Sequence, residues 1–397
     1  MSNLRRRLER LAGPTDRDES RFAENGRRPI PADFHRDGDS GIVPRRTVFH
    51  RRDLTAHHLI RDMDLLGSGE SPEDLTEIVL LDLETTGLSR GTGTLPFLSG
   101  TATLGYEGIR VVQYFLSDPA HESAYLAAVS DHLRDYRHVV TFNGKSFDLP
   151  LLQNRYTLNR MEAPCFSAHS DLLPPARRLW SQVLSSCSLT SLEEHILGRP
   201  RAGDIPGSEI PARYFDYLAG GSTDMIDEIV RHNELDLLAT ADLLFRILRP
   251  LGEPTAAAEH LAIARMASKC RRQRLAQEQL ETAADRAVGE RDYLGALREL
   301  GFLWRRRGDY EKAAPLWRQA VELIEAGITP PYPISETHVE VAKYAEHHIG
   351  DLEMALDYTN RALALLQSRC SQFAREVEDL EYRRARLLRR MGHRPAK

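Results

Sequence analysis

Apolar positions along this chain change their spacing twice, and the changes divide it. Residues 1 to about 45 carry few large apolar side chains among many Arg, Asp, Glu, Gly and Pro. Such a segment cannot bury enough surface to offset its ordering entropy, so it reads as an arginine-rich disordered arm, with a short helix at 4–11. Beyond it, 47–49 reads as a short strand and 57–66 as helical. From 78 the pattern becomes α/β. The run IVLL at 78–81 is a buried-strand pattern. Residues 95–104 suit a second strand and 109–115, which alternate, a third. Together they predict an antiparallel meander with a turn at 105–108. A helix over 122–136, a buried strand over 138–142 and a helix from Phe147 through Tyr156 follow. After CSLTSLEEHILG, a helix with Thr190 or Ser191 near its cap, comes a loop with two glycines and three prolines, RPRAGDIPGSEIPARYF. Residues 225–248 then form one long helix.

From about 255 the spacing is helical throughout, beginning with a helix over 256–285. A repeat is visible: Leu297, Gly301 and Trp304, then Gly308, Tyr310, Ala313, Trp317 and Ala320, match a tetratricopeptide repeat. A second copy carries Gly350, Ala355 and Ala362, and a third half ends at Gly392. The turn glycines lie 42 apart rather than 34, and the proline-rich AGITPPYPISE accounts for the first insertion. The alternative is a generic bundle of α-hairpins. Such arrays present a concave surface to peptides or to another domain. The repeat pattern makes Trp304 and Trp317 core residues, not stacking platforms. The arginines 383, 384, 386, 389, 390 and 394 form a basic run suited to steering nucleic acid.

The organisation is therefore an N-terminal segment over 1–45, an α/β domain over 46–253 and an all-α domain over 254–397. Composition adds limits. The chain has 397 residues, 41% of them hydrophobic, and a net charge of −5, so any basic binding surface is local. Cys165, Cys187, Cys270 and Cys370 show no paired spacing, which argues against zinc and disulfides and fits a reducing cytoplasm. No apolar run approaches the roughly 18 residues of a membrane span.

The chemistry sits in acids. Asp82 and Glu84 are two apart on a strand, so both point to one face, with Leu83 opposite. Two carboxylates at a strand end repel unless a cation lies between them, and a hard divalent ion is the natural partner. A solvated strand end is the plain alternative. Asp148 lies in a helix's first turn, where the dipole also favours it. Asp236 sits on the long helix with His232 and Asn233.

Strand acids, then FNGKSFD, then HNELD: this order resembles the DEDD exonuclease superfamily on a ribonuclease-H-like fold, over about residues 75 to 250. The first motif is LDLETTGL. The chain is similar, more closely, to the YprB-like bacterial group, which joins such a domain to tetratricopeptide repeats. The resemblance implies a mixed sheet with flanking helices and a 3′–5′ exonuclease acting on single-stranded DNA or RNA. It also implies Mg²⁺ or Mn²⁺, two ions roughly 3.5–4 Å apart held by carboxylates. By the same resemblance Asp82 bridges both ions, Glu84 and Asp236 complete one, and Asp148 orients the other.

The pattern departs in one place. In one DEDD subclass a His precedes the last Asp by five residues, and in the other a Tyr precedes it by four. Here His232 precedes Asp236 by four, which returns both side chains to one helix face. His232 is thus a candidate general base, or only a lining residue. Arg231, five before Asp236, cannot be a base. Thr85, Gly87, Asn143 and Lys145 are candidate substrate contacts, each with a turn, cap or solvated-loop alternative. Asn233 is a support or a cap, and His169 with Asp171 is a structural pair before it is a metal pair. The rival functions are a nucleic-acid-binding protein without catalysis and a repeat-based scaffold.

Overall fold

A computed structural model describes residues 30–31, 33–37, 41–49, 57–87, 93–105, 108–181, 183–252, 254–330, 332–367 and 374–392. The chain divides into two units, Met1–Glu253 and Pro254–Lys397.

In the first unit the strands are β1 (His35–Asp37), β2 (Gly41–Val43), β3 (Arg45–Phe49), β4 (Ile78–Thr85), β5 (Pro96–Gly105), β6 (Gly108–Phe115), β7 (His138–Thr141) and β8 (Ala168–Asp171). β1 and β2 form a small hairpin. The other six form one mixed sheet in the order β3-β6-β5-β4-β7-β8. The β4–β5–β6 part is the expected antiparallel meander. β7 and β8 add in parallel beyond β4. Ile78–Leu81 are almost fully buried, as an uninterrupted apolar run in a sheet covered on both faces requires.

Among the described residues the α-helices of this unit are α1 (Glu122–Leu133), α2 (Asp148–Leu158), α3 (Leu173–Trp180), α4 (Leu189–His195), α5 (Ile210–Leu218) and α6 (Asp224–Gly252). Val79, Leu81 and Leu83 enter one core with Tyr125, Leu126 and Val129 of α1, Tyr156 of α2 and Tyr214 of α5. Tyr214 stacks on Phe97 of β5 at 3.8 Å between ring centres, and its hydroxyl donates to the Leu116 carbonyl at 2.8 Å. Those two contacts anchor α5 beside the sheet.

Three expectations need correction here. Residues 1–29, including the expected short helix, lie outside the described residues, but the described part of 30–45 is folded. Phe34 is buried against Phe115, ring centres 5.9 Å apart, and this anchor outweighs the polar composition around it. β8 was not foreseen, because AHSD has no apolar run to mark it. The cap of α4 is Ser188, whose Oγ accepts from the Ser191 amide. The helix expected at 57–66 is present as a 3₁₀ helix, His57–Leu66.

The second unit holds α7 (Ala257–Lys269), α8 (Gln273–Asp285), α9 (Glu290–Arg306), α10 (Tyr310–Glu325), α11 (Glu336–Tyr344), α12 (Leu352–Gln367) and α13 (Ala374–Arg390). The helix expected over 256–285 is two, broken where Arg271 takes a left-handed backbone (φ 62°). α9 and α10 approach closely at Gly301, where an added Cβ would meet the Trp317 ring at 2.2 Å. Gly308, Gly350 and Gly392 all have positive φ and end helical segments. A π-helical turn, Ala345–Ile349, follows α11. Its Glu346 is buried and receives Arg383, Arg386 and Arg390 of α13 at 2.5–2.6 Å. Half of the expected steering run is thereby paired with Glu346, although Arg386 and Arg390 stay substantially exposed; Arg394 lies outside the described residues. Among the described residues no helix is long and apolar enough to cross a membrane.

Candidate active site

β4 brings Asp82 and Glu84 to the sheet's edge of a cleft, and the pairing register slips between Glu84 and Thr85, where the strand ends. Asp82 pairs across the ladder with Gly100 of β5. The missing side chain at Gly100 opens a slot that Asn233 of α6 fills: a Cβ there would lie 1.9 Å from Asn233 Oδ1. Asn233 Nδ2 donates to Asp82 Oδ2 at 2.7 Å. Its Oδ1 accepts from Gln113 Nε2 at 2.9 Å, and Gln113 also donates to the Val230 carbonyl. The buried amide is thus fixed in one orientation, with its donor toward the acid. Asn233 is a support of Asp82, not a cap.

Asp148 opens α2 after a tight turn. Asn143 sits at φ 66°, and an added Cβ at Gly144 would come within 2.5 Å of the Thr141 side chain. The Asp171 carboxylate, at the end of β8, accepts the backbone amides of Asn143, Lys145 and Leu173 at 2.8–3.1 Å. His169 Nε2 pairs with Thr141 Oγ1 at 2.8 Å. Asp171 and His169 therefore build the turn that aims Asp148.

Asp236 and His232 lie one turn apart on α6. Two residues of the loop before α5 close around them. Arg201 sends Nη2 to 2.6 Å from Asp236 Oδ1, Nη1 to Asp204 at 2.8 Å and Nε to Glu193 at 2.5 Å. Asp204 in turn holds His232 Nδ1 at 2.9 Å. Burial pushes the Asp204 carboxyl up, but hydrogen bonds from Arg201 and His232 outweigh it and keep it below its usual range. An ionised carboxylate only accepts, so Nδ1 carries a proton. The Nε2 edge of His232 stands 3.7 Å from Asp236 Oδ2.

Asp82, Glu84, Asp148, His232 and Asp236 all line one cleft of about 300 Å³, with Thr85 and Asn143. Phe142, Phe147, Ile210 and Pro211 supply its apolar walls. Of the other expected contacts, Lys145 turns its amine to the Gly67 carbonyl at 3.1 Å. The Gly87 carbonyl accepts from Thr85 Oγ1 at 2.9 Å, so this glycine shapes the strand end. Neither Lys145 nor Gly87 is part of the cleft wall.

The electrostatics follow from crowding acids in a poorly solvated place. Desolvation, then Asp236 and Asp148, push Asp82 well above the usual carboxylate range. Desolvation and Asp82 do the same to Glu84. Burial raises Asp148 to about 7, against the lowering effect of the backbone amides of Asp148 and Leu83. The Asn233 hydrogen bond and Arg201, buried and beside Asp236, temper Asp82. The donor chemistry suits a hard divalent cation: all-oxygen, anionic and short of positive charge. Among the described residues no three His, Cys, Asp or Glu side chains form a ready metal-binding group. Asn233 donates to one oxygen of Asp82, and Arg201 lies against one oxygen of Asp236.

Arg201 and Asp204 were not singled out from the sequence. They sit in a loop without periodicity, and their spacing of three is the one hint of a pair. In the sequence, Phe142 and Phe147 stand as flanks of the FNGKSFD acid motif.

A mixed sheet with flanking helices and clustered acids at its centre defines a ribonuclease-H-like domain. Consistently, the family model described as the RNase H superfamily matches residues 79–247. The uncharacterized protein YprB of Bacillus subtilis (strain 168) is 31% identical over 319 residues, covering 79% of this chain and 75% of that relative. The chain belongs to the family of this YprB protein. A family B DNA polymerase from the hyperthermophilic archaeon Pyrobaculum calidifontis aligns with a TM-score of 0.39 and 14% identity. That alignment spans 60% of this chain and 30% of the polymerase. RNase H-like proteins are typically nucleases.

Proposed function

We propose that this protein is a metal-dependent 3′–5′ exonuclease of the DEDD type, hydrolysing single-stranded DNA or RNA. The observation that carries the reading is the convergence of Asp82, Glu84, Asp148 and Asp236 on one cleft with His232. Those four carboxylates would hold Mg²⁺ or Mn²⁺, two ions in all. Bound there, such cations activate water and stabilise the leaving oxygen of a phosphodiester.

The chain's own residues supply the rest. His232, held by Asp204 through Nδ1, presents Nε2 to the cleft and accepts the proton of the attacking water. Phe142 and Phe147 offer half-buried ring faces on which a terminal base stacks without sequence preference. Thr85 and Asn143 border the end of the strand being cut. The second unit is a tetratricopeptide-like array that binds a protein partner; the Gly301–Trp317 approach and the three left-handed turn glycines support that reading. We place the protein in the reducing cytoplasm, in keeping with its scattered cysteines.

The test is product analysis. Purified protein with Mn²⁺ should shorten a 5′-labelled single-stranded oligonucleotide into a ladder, while the same oligonucleotide labelled at its 3′ end should release labelled mononucleotide at once. A first product cut from the interior would refute the exonuclease reading, and no metal-stimulated cleavage would refute the nuclease reading.

A further inference from the structure

Arg201 is out of place in a site that has to bind cations. Its guanidinium is nearly buried, with a side-chain exposure of 7%, inside a cluster of acids. It meets Glu193 of α4, Asp204 of its own loop and Asp236 of α6, so three separate segments converge on one positive group. A guanidinium stays charged in any protein environment, so this cation does not leave by losing a proton.

We propose that Arg201 is a resident counter-ion and positioning residue for the metal site, a role that rests on the nuclease reading above. Two consequences follow from the geometry. Arg201 holds Asp236 through Oδ1, which leaves Oδ2 as the oxygen on the His232 side. It also holds Asp204, which holds His232, so one side chain aligns the acid and the candidate base together. The opposing effect is electrostatic. A fixed positive charge beside Asp236 repels an incoming divalent ion and competes for one of its ligand oxygens. Arg201 thus holds Asp236 in place among mutually repelling carboxylates before a metal arrives and weakens the metal's hold once it is there. A residue that only supports the fold would not separate these two effects, because its loss would impair both.

The experiment compares the full-length wild type with Arg201→Gln, Arg201→Met and Arg201→Lys. Mn²⁺ binding is followed by titration calorimetry without nucleic acid, and cleavage of a labelled oligonucleotide is measured at saturating Mn²⁺. The two neutral variants should bind Mn²⁺ about tenfold more tightly, because the competing charge is gone. They should nevertheless cleave about tenfold more slowly or worse, because Asp236 and His232 lose their alignment. Arg201→Lys keeps the charge without the fork, so its affinity should stay near that of the wild type and part of the rate should return. Two neutral variants are used so that a single misfolded one leaves the comparison standing. Unchanged or weaker Mn²⁺ binding in a folded neutral variant would overturn the proposal while leaving the nuclease reading intact. Unfolding of both neutral variants would assign Arg201 to the fold alone and overturn it as well. A wild type that binds no Mn²⁺ would overturn the nuclease reading and this inference together.

Discussion

Gly100 shows how much of this site rests on a side chain that is absent. Its Cα faces Asp82 across the sheet, and the space above it belongs to the Asn233 amide that donates to that acid. Gly100→Ala would force Asn233 out of its slot. We expect a loss of about 1–3 kcal/mol of stability in urea unfolding, the scale of core overpacking, together with loss of the Asp82 orientation. Wild-type stability in this variant would contradict the close fit. The sequence context SGTATL identifies a strand but not why Gly100 is glycine, because the reason is a helix more than a hundred residues away. Asp148 makes a pH prediction. Its carboxyl rises from an ordinary 3.8 to about 7 on folding. Below about 4 it is neutral in both states and carries no folding penalty. As pH rises from there through 7, ionisation favours the unfolded chain, so the metal-free protein loses stability over that window. Asp148→Asn removes the penalty. In chelator the variant should match the wild type near pH 4 and exceed it by on the order of 4 kcal/mol at pH 8. An equal margin at both pH values in urea melts would show that burial does not shift this acid.

At the scale of elements, α6 does most to assemble the site. Asn233, Asp236 and His232 project from successive turns of one helix, which is why their spacing was legible as a motif. β4 was legible for a similar reason: four apolar residues followed by acids two apart leave little freedom in reading a strand end. The loop before α5 was legible only as a loop. Its Arg201 and Asp204 act through contacts with α4 and α6 that no local pattern encodes. In the second unit, the helix expected over 256–285 breaks at Arg271, whose left-handed backbone an arginine gives no reason to anticipate. In the basic run of α13, the pairing of Arg383, Arg386 and Arg390 with Glu346 is not legible from sequence alone, since Glu346 lies in the turn after α11. Glu346 is 1% exposed and is the shared acceptor of three arginines. Glu346→Gln leaves that cluster without its counter-charge and should destabilise the helical unit by about 3–5 kcal/mol, the scale of breaking a buried pair. The readout is an earlier-melting helical transition by circular dichroism. An unchanged transition would return these arginines to the solvent, where they are free to meet nucleic acid.

For the whole molecule, the fold carries the motifs on the elements expected of them: strand acids on β4, an acid opening α2, and a late acid on α6. That order was readable because each motif carries its own secondary-structure signature. β1, β2 and β8 were not readable, because each strand is only three or four residues long. A different limit applies to the supports of the acids, which come from distant segments. The account stands or falls on whether the acids work together on a metal. The decisive measurement is Mn²⁺-dependent cleavage of an end-labelled single-stranded oligonucleotide by wild type and by Asp82→Asn, with circular dichroism confirming that both are folded. Asparagine keeps the shape and loses the charge that binds a cation. The account predicts robust cleavage by the wild type and a loss of at least about 10²-fold in the variant, whereas equal cleavage by a well-folded Asp82→Asn protein would contradict it.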